Sequence, residues 1–266
     1  MPPPDIAPDD ILRFPRGTNA GDCLHAAFER IDFADASTWK DAIAYALAAH
    51  PQAADARSAA SSASASASRA ALAAMIERML ADVASTELVP GLALRDVRPE
   101  RRLTELEFNM RVGELSPSSL NRWLVDSGYD VPRLAYGNLE GYLKGFIDLV
   151  FEHDGRYWIV DWKSNHLGWT AAGYGGDSIG VAMVEHAYHL QHLIYTVALH
   201  RYLSHRMKDY RYERHFGGVL YLFVRGVRPQ WKNTDGTAAG VFHHRPDVPT
   251  IEGLDRALRG EHMRRA

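Results

Sequence analysis

Asp148, Asp161 and Lys163 are the residues of this 266-residue chain best suited by type and spacing to do chemistry. The aspartates flank Asp154-Gly155, a dipeptide set between two runs rich in β-branched and aromatic residues, GFIDLVFEH and RYWIVDWK. That pattern predicts a β-hairpin with a two-residue turn. Such a turn pairs His153 with Arg156, and counting back along both strands sets Asp148 opposite Asp161. Side chains alternate along a strand, so Lys163 shares a face with Asp161. Carboxylates facing each other at about 5 Å repel and destabilise a sheet. Ile147, Leu149, Ile159 and Val160 mark these strands as central, where an uncompensated charge is costly. A divalent cation with oxygen ligands is the usual compensation. Held there, it neutralises a phosphate, lowers the pKa of a bound water and steadies a leaving oxygen. Lys163 would orient the water or stabilise charge developing in the transition state, a set suited to cleaving phosphodiesters.

Around the hairpin, helices and strands alternate without a repeat. This predicts an α/β fold, a mixed central β-sheet flanked by helices, with an N-terminal helical segment. Residues 1–19 carry five prolines and no periodicity, which predicts an extended arm. Ala20 to Ile31 has Leu24, Phe28 and Ile31 at helical spacing, with Asp22 as N-cap and His25 beside Leu24. Residues 37–50 and 69–84 complete a helical segment over 20–90. An Ala/Ser tract at about 52–68 inside it is expected to be a linker or insertion, since serine competes with helix. The core is expected over 91–266. Arg101 to Arg111 alternates as a strand, with Glu105 and Glu107 on one face. Ser116-Pro117 opens a helix to about Asp126. Gly173 to Ser178 reads as a glycine-rich loop and Val181 to Arg206 as one long helix. Gln191 and Tyr195 lie one turn apart on it. His186, His189 and His192 share that helix, but no third ligand at zinc spacing follows, so they are expected to be packed or solvated. His215 to Arg225 is a buried strand, Gly240 to His244 a short one, and 250–260 a final helix.

Composition narrows the options. A formal net charge of −3 gives no global positive field, so a DNA ligand would need a local basic patch, metal ions or delivery by another subunit. The pairs Arg101-Arg102 and Arg264-Arg265 are expected to be solvated. Cys23, the single cysteine, excludes an intrachain disulfide and a four-cysteine iron–sulfur or zinc site. No apolar run is long enough to span a membrane, and the N-terminus lacks the basic and apolar regions of a signal peptide, which fits a reducing cytoplasm.

The run GFIDLVFEHDGRYWIVDWKSNHLG, followed by HLQHLIYTVALHRYL and FGGVLYLFVRG, resembles the C-terminal nuclease domain of the RecB family, within the PD-(D/E)XK nuclease superfamily. The likeness extends from FPRGTNAGDCLHAAFE (14–29) to VFHHRPD (241–247). It implies that His25, Asp148 and Asp161 hold the metal and that Lys163 is the catalytic lysine. It also implies that Glu105 is the acidic residue preceding the motif strands, Glu107 being the neighbouring choice, and that Gln191 and Tyr195 form a Q-x-x-x-Y motif for DNA handling. Mg²⁺ is the implied cofactor, with Mn²⁺ as a substitute and Ca²⁺ as a further binder. A backbone carbonyl near Trp162 and waters would complete the shell. Single-stranded DNA is the implied substrate, in double-strand-break processing, with RecC-like and RecD-like subunits and a helicase motor as partners. No P-loop or other helicase signature occurs, so the chain is expected to be a fragment, a split gene product or a free-standing relative. Trp162 stands where the family has tyrosine, which is expected to alter packing or DNA contact. The rival expectation is a catalytically silent module for DNA binding or subunit docking. Asp161→Ala is expected to abolish cleavage and, by relieving repulsion, to leave the fold intact.

Overall fold

The computed structural model describes residues 3, 5–52 and 62–261. Contacts divide the chain into two compact units interleaved along the sequence: Met1–Arg102 with Asp161–Ile179 and Tyr221–Phe242, and Leu103–Val160 with Gly180–Leu220 and His243–Ala266. The expected succession of arm, helical segment and core does not describe this interleaving, because individual strands carry the chain from one unit into the other.

In the first unit, α1 (Thr18–Phe28) and α2 (Trp39–Ala49) precede the long α3 (Ser62–Ser85). Ala20, Leu24, Ala27 and Phe28 recur at helical spacing on α1 and are all buried, the apolar stripe that makes a helix dock. Gly17, not Asp22, begins α1; its φ of 100° suits glycine and lets the chain turn sharply after Arg16. Asp22 lies a turn inside the helix on its exposed side. The Ala/Ser tract is corrected in part. Its residues from Ser62 onward are helical, continuous with a face of Leu72, Ile76, Met79, Leu80 and Val83 whose burial overrides serine's weak propensity. The remainder of the expected linker, 53–61, lies outside the described residues.

The expected extended arm is also corrected. Ile11–Arg13 form a 3₁₀ turn capped by Asp10, and Ile11, Leu12 and Phe14 are buried. Apolar burial, with Arg225 and Arg228 as anchors, outweighs the prolines. Arg228 grips the Asp10 carboxylate through two bonds of 2.7 Å. Arg225 donates to the carbonyls of Ile11, Phe14, Pro15 and Ser164. A small ribbon of β1 (Glu87–Val89) and β2 (Leu92–Ala93) closes the segment.

A five-stranded sheet follows, in the order β3-β4-β5-β6-β7: Arg102–Leu115, Leu139–His153, Arg156–Lys163, Phe216–Phe223 and Val241–His244. The hairpin forms as the sequence predicts. Asp154 and Gly155 have φ of 48° and 73°, the two left-handed residues of a tight turn, and His153 pairs with Arg156. The antiparallel register runs from there to Leu149↔Val160.

Within the second unit, helix α4 (Pro117–Asp126) starts at Pro117 as expected. Helices α5 (Gly176–Glu185), which begins in the first unit at Gly176, and α6 (Tyr188–Arg206) replace the single long helix. The chain breaks at Ala187, whose φ of 55° is left-handed; no glycine or proline announces it. The expected glycine-rich loop is likewise shortened. Ala171–Tyr174 form a 3₁₀ turn, and Gly176 already starts α5. Tyr174 is buried against Gly226, where any Cβ would meet the ring at 2.1 Å. Helix α7 (Val248–Leu258) ends the described chain. Met110, Val112, Leu124, Ile147, Leu193, Val197, Ile251 and Leu254 form this unit's core. Among the described residues no helix is long and apolar enough to cross a membrane.

Candidate active site

Helix α1 and the end of β5 form one half of the expected site, both within the first unit. Gly21 lets them approach, since a Cβ there would meet Ser164 Oγ at 2.9 Å. His25 is one turn further along α1, on the same side. Its Nε2 lies 2.9 Å from the Trp162 carbonyl oxygen, which accepts the bond. The Trp162 ring stacks on Phe28, with centroids 4.1 Å apart and planes 9° apart. It is buried at 3 % exposure. The ring is thus a packing element of the first unit, with no face open to solvent.

The Asp161 carboxylate is buried and pairs with the Lys163 ammonium at 2.5 Å, their side chains 3 % and 11 % exposed. Lys163 also lies over the Tyr221 ring, its Nζ 5.0 Å from the centroid. This aromatic support was not foreseen, since nothing in the FGGVLYLF pattern distinguishes one buried residue from the next. Backbone pairing secures the strand end, with Val224 N–H donating to Lys163 O at 3.0 Å.

Divalent-cation chemistry can be tested against these atoms. Imidazole Nε2, a backbone carbonyl and a carboxylate are the donors that a hard cation with nitrogen tolerance takes. Neighbouring ligands around an octahedral Mg²⁺ with bonds of about 2.1 Å sit about 3.0 Å apart. His25 Nε2 and Trp162 O, 2.9 Å apart in a hydrogen bond here, would fit the group only with Nε2 unprotonated and Nδ1 carrying the proton. Among the described residues no three His, Cys, Asp or Glu side chains form a ready-made metal-ligating cluster.

The second unit carries the remaining candidates. Asp148 is half-buried on β4, next to Leu149, the last residue of the observed register. Gln191 and Tyr195 are brought together on α6, where Gln191 Nε2 donates to Tyr195 Oη at 2.9 Å. Tyr195 packs edge-on against Phe108, 5.8 Å between centroids. Glu105 and Glu107 are both exposed. Glu105 has a left-handed φ of 51°, an irregularity in β3, while Glu107 pairs with Lys144 at 2.9 Å. The three helix histidines are not equivalent. His186 is exposed, whereas His192 is fully buried with His189 and His244 about it, ring centroids 5.6 and 5.2 Å away. The expected solvation of Arg102 is corrected: it is half-buried, donates to Ile31 O and lies over the Phe33 ring. Arg264 and Arg265 lie outside the described residues.

Residues 9–261 match the PD-(D/E)XK nuclease superfamily. The chain is similar to the RecBCD enzyme subunit RecB of Escherichia coli, at 34% identity over 93% of this chain and 20% of the relative. It is likewise similar to the subunit of the same name from Mycobacterium tuberculosis, at 37% over 93% of this chain and 24% of the relative. With Haemophilus influenzae the figures are 32%, 92% and 19%. The chain therefore spans about a fifth to a quarter of the length of these relatives.

Proposed function

Since the chain belongs to the PD-(D/E)XK nuclease superfamily, we propose that it is the metal-dependent deoxyribonuclease part of a RecBCD-type helicase–nuclease, acting in DNA double-strand-break repair and recombination. The observation that carries this reading is the buried Asp161–Lys163 pair next in sequence to the Trp162 carbonyl, which His25 meets. A nuclease needs an anionic ligand, neutral donors and a fixed cation around one phosphate, and these residues supply all of them.

His25, Asp148, Asp161 and the Trp162 carbonyl are the proposed holders of Mg²⁺, with Mn²⁺ as substitute and Ca²⁺ as a further binder. When bound, Mg²⁺ supplies Lewis acidity at the phosphate and at a water. Asp161 offers a carboxylate whose position is fixed by burial and by Lys163. Lys163 donates a hydrogen bond to the attacking water or to a non-bridging phosphate oxygen, where negative charge develops. Its seat over Tyr221 restricts the ammonium without neutralising it. Glu105 is the proposed accessory acid, and Gln191 and Tyr195 contact the DNA beside the reacting phosphate. Single-stranded DNA is the proposed substrate, with RecC-like and RecD-like subunits and a motor as partners, in the cytoplasm. The weak net charge supports delivery of the strand by a partner over capture from solution.

Cleavage of end-labelled single- and double-stranded DNA, with Mg²⁺, Mn²⁺, Ca²⁺ or EDTA, tests the reading. Mg²⁺-dependent shortening that Asp161→Asn abolishes is the expected result. Binding of DNA without cleavage under any metal would instead make the chain a silent nuclease-fold module.

A further inference from the structure

Beyond the proposed metal set, two side chains of the first unit gather around one arginine. Arg16 Nη2 donates to His166 Nε2 at 2.9 Å, and its guanidinium lies over the Trp169 ring, 5.1 Å from the centroid. His166 meets the same ring edge-on at 4.6 Å. Arginine has no acceptor, so Nε2 of His166 is the unprotonated nitrogen and the imidazole is neutral. Burial, then the charges of Arg16 and Arg225, hold that histidine below its ordinary pKa, consistent with the tautomer.

The arrangement is built, since one buried side chain fastens both segments that carry it. Arg225 donates to Pro15 O, immediately before Arg16, at 2.5 Å, and to Ser164 O, two residues before His166, at 2.8 Å. Arg16 itself is exposed, and among the described residues no carboxylate pairs with it. A guanidinium held over an aromatic ring and tied at one nitrogen keeps its other N–H donors in a restricted fork. That is the geometry that takes two phosphate oxygens at once. His166 follows Lys163 by three residues, so the fork belongs to the strand end that carries Asp161 and Lys163.

We propose that Arg16, seated on Trp169 and oriented by His166, binds a backbone phosphate of single-stranded DNA adjacent to the one being cleaved. This rests on the nuclease reading above. Arg16 holds the strand in register and Trp169 fixes the guanidinium plane; neither touches the reacting atoms.

Anisotropy of a labelled oligothymidylate in EDTA, at several salt concentrations, reads the contact without cleavage. Arg16→Ala should bind several-fold more weakly, with the slope of log affinity against log salt shallower by about 0.7, the value of one single-strand phosphate contact. Arg16→Lys should restore the slope but not the full affinity. With Mg²⁺, Arg16→Ala should raise KM more than it lowers kcat, at an unchanged melting temperature. A parent that cleaves DNA while Arg16→Ala keeps its salt slope and KM would overturn the subsite and leave the nuclease reading intact. A parent with an Arg16-dependent slope and no cleavage under any metal would support the phosphate contact and overturn the nuclease reading. Binding by neither protein would overturn both.

Discussion

His25 Nε2 and the Trp162 carbonyl oxygen lie 2.9 Å apart, although 137 residues separate them in sequence. The bond joins the first helix to a strand end at the carbonyl of the residue between Asp161 and Lys163. Replacing the imidazole should therefore leave the fold in place, because His25 is only half-buried. His25→Ala should raise the Mg²⁺ concentration for half-maximal DNA cleavage by about tenfold or more. A metal titration of cleavage checks this, and an unshifted midpoint would remove His25 from the proposed ligands.

Loss of Asp161 should also cost stability, which facing carboxylates alone did not suggest. Facing carboxylates suggested that removing one would relieve repulsion. The structure gives Asp161 a counter-charge in Lys163, whose side chain is 11 % exposed. Stripping one partner from a buried pair costs about 3–5 kcal/mol. Asp161→Asn should abolish cleavage and lower the denaturant midpoint, and Asp161→Asn with Lys163→Met should recover part of that stability with activity still absent. Equal midpoints for parent and single variant would refute the pairing argument.

Trp162 tests the packing of the first helix. Its ring stacks on Phe28 at 4.1 Å, so Trp162→Ala removes a buried aromatic face and should cost about 3–5 kcal/mol. Trp162→Phe keeps a stacking partner and should cost less than about 1.5 kcal/mol. Urea unfolding of the two variants separates them; similar losses would mean the stack contributes little.

Acid should weaken the second unit through its histidines. Burial first, then the charges of His244 and His189, hold His192 well below the ordinary histidine value. The same cause lowers His189 and His244, with Asp130 opposing it at His189 and Asp247 at His244. Tyr129 completes the cluster, its hydroxyl 3.0 Å from His244 Nε2. A depressed folded pKa means that the unfolded chain takes up protons first. Stability is therefore full above the unfolded value of about 6.5 and falls as pH drops below it, by up to about 1.4 kcal/mol per pH unit for one fully buried histidine. Unfolding free energies measured from neutral to mildly acidic pH should show this slope, flattened in His192→Gln. A variant as acid-sensitive as the parent would place the effect elsewhere.

The hairpin was legible because its information is local. Asp154-Gly155 fixes the turn, the turn fixes the register, and alternation places Lys163 beside Asp161. Tertiary packing decided what the sequence misplaced. Ala187 adopts a left-handed conformation without a glycine to signal it, and Ser62 onward is helical because Leu72, Ile76 and Leu80 bury a face. His25 by spacing alone is an ordinary amphipathic-helix histidine; only the approach that Gly21 permits gives it a partner. Arg225 left a faint signal, a charge at the end of a wholly apolar strand, which has to find carbonyls when it is buried.

That arginine also sets an order of assembly. Arg225 bonds Ile11 O across 214 residues, and Arg228 bonds Asp10 across 218. On the ribosome the segment bearing Phe14 and Arg16 emerges well before these two arginines and waits for its anchors. A chain halted before residue 225 would expose Ile11, Leu12 and Phe14, and with them a ready surface for chaperones, however well α1 to α3 had formed. Arrival of Arg225 and Arg228 is thus what admits the Asp10–Phe14 segment to the fold.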